Sequence, residues 1–153
     1  MSLHGIIRLG TFAAMCLLLG ACDSVPHATP TMARSSGSTP QAHGFLIDID
    51  LTNDGKTDIP LDAYEYVFAV EGFGSFHGRW AAMRVLPPES TITVSIPAVL
   101  PANTGLSDNL WTIKGDVEYQ APGILGQILF DLGIQRPTVG FSGSGALLAA
   151  EPE

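Results

Sequence analysis

The chain has 153 residues, enough for one domain, and is 46% hydrophobic but only 14% charged, with 17 Gly, 11 Pro and 2 Cys. Seven Lys and Arg against fifteen Asp and Glu give a formal charge of -8. That leaves almost nothing from which to build a phosphate-binding surface, so nucleic acid is excluded as a partner. The positive mean hydropathy, +0.27, points to a membrane and has to be traced to its source.

The first segment supplies it. Arg8 is the one Lys or Arg before an apolar stretch from Leu9 to Leu19, broken only by Gly10 and Thr11. About 18 apolar residues are needed to cross a bilayer, whereas this length fits the core of a signal peptide of roughly 7 to 15 residues. The stretch ends in Leu19-Gly20-Ala21-Cys22, which resembles the lipobox of bacterial lipoproteins. The resemblance implies cleavage of a signal peptide over 1–21 and acylation of Cys22, so that lipid anchors the mature chain to a bacterial membrane on its periplasmic side. Asp23 resembles the residue that retains some lipoproteins at the inner membrane, and inner against outer membrane stays open. The alternative for this segment is an ordinary secretory signal cut near Ala21. Cys16 leaves with the signal and Cys22 carries lipid, so no disulfide is expected. Counted from Cys22, six basic residues face fifteen acidic ones, a formal -9.

Residues 22–43 are mostly Ser, Thr, Pro, Gly and Ala, with Val25 and Met32 the only larger aliphatic side chains. Such a composition buries too little surface to offset ordering entropy. It predicts a flexible linker with a reach on the order of 25 Å, in which His27 is a solvated residue.

From residue 44 the period becomes two. Phe45, Ile47, Ile49 and Leu51 alternate with Leu46, Asp48 and Asp50, a half-buried strand. A turn is expected at Asn53-Asp54-Gly55, a strand over 64–71, flexible glycine-rich chain before a short strand over 80–85, and a break at Leu86-Pro87-Pro88. Residues 91–96 alternate most clearly, with Pro97 and Pro101 closing that strand. Ser107-Asp108 is a candidate cap for one helical turn. Residues 117–119, 123–130 and 138–148 supply the later strands. About seven short strands with turn signals between them predict an all-β fold, an antiparallel sandwich over 44–150 preceded by the signal peptide and the disordered tether.

The order of these motifs resembles the late embryogenesis abundant type 2 domain, also called the water-stress and hypersensitive-response (WHy) domain. The resemblance is carried by Leu51-Thr52-Asn53-Asp54, Ile59-Pro60-Leu61, Tyr64, Tyr66, Gly72, Gly78 and Leu86-Pro87. It continues through Ser90 to Ser95, Ile96-Pro97, Tyr119, Gly123, Phe141-Ser142 and Gly145. It departs from the family at the first turn, where Thr52-Asn53-Asp54 replaces Asn-Pro-Asn. The resemblance implies an immunoglobulin- or fibronectin type III-like sandwich without known catalysis, a link to desiccation or stress protection, and a common bacterial form as a lipoprotein.

Candidate chemistry is thin. Asp50, Thr52, Asp54, Gly55 and Asp58 follow the start of a calcium loop, but Leu61 stands where the bidentate Glu belongs, so a polar hairpin turn is expected and no metal or other cofactor. Gly140-Phe141-Ser142-Gly143-Ser144-Gly145 departs from a nucleophile elbow, and in Gly72-Phe73-Gly74-Ser75-Phe76-His77 a histidine replaces the third glycine of a dinucleotide motif. No catalytic residue is assigned. Phe73, Phe76 and Trp80 are aromatic residues among glycines, expected to fill the core or, where exposed, to form a contact surface for a peptide, lipid or polysaccharide, with an envelope protein or polysaccharide as the partner class. The expectation is a lipid-anchored, non-catalytic stress-protection domain, with an adhesion or assembly module as the second reading.

Overall fold

A computed structural model of the chain describes residues 25–102 and 110–148. Cys16, Cys22, Asp23 and the helical turn expected at Ser107-Asp108 lie outside them. The described residues form seven strands and one helix: β1 (His27–Ser38), β2 (Ala42–Asn53), β3 (Ile59–Val70), β4 (Gly74–Leu86), β5 (Ser90–Pro101), β6 (Leu110–Tyr119), α1 (Ile124–Asp131) and β7 (Thr138–Ala146). Two antiparallel sheets result, one ordered β1-β2-β5 and the other β4-β3-β6-β7.

Alternation explains how the sheets face each other. Phe45, Ile47, Ile49 and Leu51 of β2 turn inward, as do Val94, Ile96, Ala98 and Leu100 of β5, and they meet Tyr64, Tyr66, Phe68 and Val70 of β3. The core is one continuous cluster that also holds Trp111, Val117 and Phe141. Most outward positions of β2 and β5, from Asp48 to Thr52 and from Thr91 to Ser95, are polar and pair across the strands. Thr52 and Thr91 hydroxyls are 2.8 Å apart, the Thr93 hydroxyl donates to Asp50 at 2.7 Å, and Asp48 accepts from Ser95 and Arg34.

Three expectations need correction. The flexible linker placed over 22–43 contains β1, which pairs with β2 from His27–Thr52 to Ser38–His43. Composition misled because β1 is an edge strand that buries little, with Ala33 its one fully buried hydrophobic residue. It is ordered by its main-chain ladder and by closure on β7, where Leu148 N donates to Ala33 O at 3.1 Å. The strand expected over 123–130 is α1. Its apolar residues 124, 125, 128 and 129 recur with helical spacing, and β7 already occupies the free edge of β6, so the segment satisfies its backbone locally. The glycine-rich chain before Trp80 is mostly strand, since β4 begins at Gly74.

Two smaller differences follow from where the strands sit in the sheets. β5 runs through Pro97 to Pro101, which an edge strand tolerates because the missing N–H faces no partner. The turn after Asn53 is not a hairpin, because β2 and β3 belong to different sheets. Asn53, fully buried, organises that crossing. Its Nδ2 lies 2.8, 3.2 and 3.0 Å from the carbonyl oxygens of Thr57, Leu86 and Pro87, and its Oδ1 accepts from Gly55 N at 2.9 Å.

Two core tyrosines differ in how their hydroxyls are satisfied. Tyr66 donates across the sandwich to the Pro97 carbonyl, whereas the buried Tyr64 hydroxyl has no hydrogen-bond partner among the described residues. Burial pushes both up to about 12 from the usual 10, with Arg84 partly opposing the effect at Tyr64. A raised folded-state value means that stability is fully present below pH 10 and is lost as pH climbs through about 12. The midpoint of urea unfolding should therefore fall steeply between these values. Tyr64→Phe removes an unpaired buried hydroxyl and is expected to leave stability at neutral pH unchanged or raise it by up to ~1 kcal/mol. The same variant should flatten the alkaline loss, and a Tyr64→Phe domain markedly weaker at pH 7 would contradict the assignment.

Candidate functional site

The period of two that fills the core also builds the outer face of the four-stranded sheet. With Tyr64, Tyr66 and Phe68 inward, Glu65, Val67 and Ala69 of β3 face out. Register places His77 and Lys114 on either side of Val67, and Arg79 and Asp116 on either side of Glu65. Together with Thr112 these side chains line an open trough of about 700 Å³. Gly78 and Gly115 pair with Tyr66 on either side, and a Cβ at either would run into its ring or Cβ.

The trough carries both signs of charge. Glu65 and Asp116 stand directly opposite each other, a like-charge pair, with Arg79 alongside. Arg79 reaches Glu118 at 3.8 Å, and Glu118 also receives Arg136 at 2.6 Å. Arg136 extends the network to Asp62 at 3.9 Å and stacks over the Phe130 ring at 4.9 Å. In this way the connection from β6 to β7 is tied to the sheet. Among the described residues no group of three His, Cys, Asp or Glu side chains is arranged to hold a metal ion. The trough's chemistry is that of reversible polar contact: a shallow surface with an aliphatic floor and paired charges, able to take an extended polar ligand.

The three aromatic residues singled out in the sequence do not share one surface. Phe73 is buried in the turn after β3, its ring edge-on to His43 at 5.8 Å between centroids. Phe76 is half-buried and tilts against Tyr66 at 6.2 Å. Trp80 alone is exposed, at 50%. Two of the three thus belong with the core, and the contact surface expected of the set reduces to one indole on an edge strand. The loop Asp50–Asp58 is held by Asn53 rather than by oxygen ligands converging on an ion, and Asp54 lies 3.6 Å from His27. Gly140 to Gly145 lie within β7, in extended chain and not at a strand-to-helix elbow.

Sequence reasoning missed the connection around α1. Its apolar side chains are exposed, Ile124 at 80%, Leu125 at 69%, Leu132 at 66% and Ile134 at 69%, and α1 buries no residue. The signal was present in the helical spacing of a run otherwise rich enough in Ile and Leu to pass for a strand.

No protein-family model and no curated protein matches the sequence. Solved structures do. The chain is similar to an Arabidopsis thaliana protein known from its solution structure, with a TM-score of 0.59 and 16% identity over 82% of this chain and 83% of that one. It is also similar to a candidate late embryogenesis abundant (LEA) protein, at a TM-score of 0.57 and 13% identity over 88% and 76% of the two chains. The fold is LEA-like. A candidate ApaA protein from Bordetella pertussis shares this LEA-like arrangement at a TM-score of 0.54 and 16% identity, covering 81% and 94%. At such identities the likeness concerns the fold, and the all-β sandwich expected from the alternation is the one observed.

Proposed function

We propose that this LEA-like domain is a non-catalytic stress-protection module held on the periplasmic side of a bacterial membrane by lipid on Cys22. The observation that carries the reading is the LEA-like sandwich on a chain whose Leu19-Gly20-Ala21-Cys22 resembles a lipobox. Its outer surfaces fit the role physically. One sheet presents hydroxyls and carboxylates paired across β2 and β5, the other a mixed-charge trough, and the formal charge of -9 counted from Cys22 keeps the domain soluble beside the envelope.

The test is survival. Cells lacking the gene should recover less well from drying or osmotic shock than the parent, and the wild-type gene should restore recovery while Cys22→Ser should not. Equal survival of all strains would remove the protective role. A second reading, an assembly module that recruits an envelope protein or polysaccharide, is favoured by the 700 Å³ trough. It requires one stoichiometric partner in a pull-down from solubilised membranes.

A further inference from the structure

The segment from Ile124 to Ile134 presents an unusual combination. An eight-residue helix is far below the roughly 12 to 15 residues at which isolated helices become marginal in water. Within the segment, Ile124, Leu125 and Ile128 of the helix and Leu132 and Ile134 just after it are between 48% and 80% exposed. Asp131 is the helix's single charge. Contiguous exposed apolar residues of this kind mark a surface that another phase or molecule covers.

Topology says which end of the sandwich this is. The helix joins the end of β6 to the start of β7, and Gln120 N donates to Pro60 O at the start of β3. Asn53, at the end of β2, bonds the Leu86 carbonyl at the end of β4. Register then pairs His27, the first residue of β1, with Thr52. The N-terminus of β1, the end of β2 and α1 therefore share one end of the domain, and Val25, 49% exposed, lies there too. Ala102, which bonds Gln41, and the end of β7, where Leu110 pairs with Ala146, lie at the other end.

Because β1 is ordered from His27, the distance from the anchor also changes. His27 lies five chain steps beyond Cys22, with four residues between them, a reach of at most about 18 Å in fully extended chain, in place of the ~25 Å expected of a twenty-residue coil. We propose that the α1 connection is a membrane-docking surface, with Ile124, Leu125, Ile128, Leu132 and Ile134 entering the interfacial region of the same bilayer that holds the Cys22 lipid. The inference rests on the anchoring reading above. It adds a second, non-covalent attachment and orients the domain with the α1 end down and the β3–β4 hairpin away from the membrane. The occupant is the acyl boundary of the bilayer and not its headgroup charge, since the helix offers one carboxylate and no cation.

The experiment uses the full chain expressed in a bacterial host, purified from membranes and reconstituted into phosphatidylcholine vesicles. Single cysteines are placed at Leu125→Cys, Ile128→Cys and, at the far end, Val99→Cys, and each is labelled with an environment-sensitive fluorophore. All three positions are exposed, so the substitutions leave the core untouched. Nitroxide-bearing lipids should quench the labels at residues 125 and 128 several-fold more strongly than the label at residue 99. Mass spectrometry of the N-terminus reports the anchor separately. An acylated Cys22 with equal, weak quenching at all three sites overturns the docking alone. A chain that keeps residues 1–21, or lacks acyl groups, overturns the anchoring reading and the docking with it. Unquenched labels at 125 and 128 that cross-link to a second copy, or to another protein, place a different occupant on the helix and overturn it as well.

Discussion

Asn53→Ala should lower the unfolding free energy of the domain by about 2–4 kcal/mol, measured as a shift of the urea midpoint at constant slope. Asn53 is fully buried where the chain crosses from one sheet to the other. Its amide gathers the carbonyls of Thr57, Leu86 and Pro87 and its oxygen takes the Gly55 N–H, so truncation removes a side chain that serves four backbone groups at once, of which the Pro87 carbonyl keeps the Ser90 hydroxyl. Leaving buried partners unpaired costs more than the net worth of the bonds themselves. Thr52→Ala is the matched control. It deletes one exposed hydroxyl contact with Thr91 and should change stability by no more than about 0.5 kcal/mol. Equal small effects from the two would mean that the crossing is held by something other than the asparagine. Asn53→Asp should be worse than alanine at neutral pH, because it replaces the only donors with a carboxylate facing carbonyl oxygens.

Gly115→Ala carries the second large effect, a loss of about 3 kcal/mol or a failure to fold. Gly115 lies on central strand β6 between Tyr66 and Phe141. A Cβ there would stand 2.4 Å from the Glu65 carbonyl oxygen, 2.7 Å from Tyr66 Cβ and 2.8 Å from Phe141 Cζ. The first of these neighbours is backbone, so trimming a side chain does not make room. Gly115→Ala should therefore remain destabilised in a Phe141→Leu background, where a clash with the ring alone would be relieved. Gly140→Ala on edge strand β7, whose Cβ would come no nearer than 3.4 Å, to the Asp116 carboxylate, should be nearly neutral. Thermal unfolding followed by circular dichroism separates the pair. A Gly115→Ala protein as stable as Gly140→Ala would show that β6 shifts freely, against the close approach described.

What could be read from the sequence follows from where the information is carried. The alternation of Phe45, Ile47, Ile49 and Leu51, and of Thr91 to Ile96, reports side-chain burial directly, and both strands are where the pattern puts them. Strand β1 was illegible because its order comes from main-chain pairing with β2 and a bridge to Leu148, and main-chain partners leave no mark on composition. The helix was hidden for the opposite reason: Ile124 to Phe130 holds two Ile and a Phe, which favour strands, and its helical spacing gains weight only once β7 is seen to occupy the edge beside β6. The seven-strand total agrees with the expectation because one strand was missed and one helix was read as a strand. At the candidate site, Gly78 and Gly115 are small residues facing a tyrosine, a pairing that depends on register and is visible only once β3, β4 and β6 are side by side. Phe73, Phe76 and Trp80 were close in sequence, but the turn after Val70 and the period of β4 send them to different surroundings.

The bridge between Arg34 and Leu148 joins the first described strand to the last described residue. Loop-closure entropy must be met before such a distant contact rewards the chain, which makes folding slow compared with that of proteins built from local contacts. Strand β1 has little apolar surface with which to hold its place beforehand, so it gains its second partner only when the C-terminal strand is also present. A chain cut just before Leu148 loses that bridge, which should expose the flank of β1 to pairing with other chains.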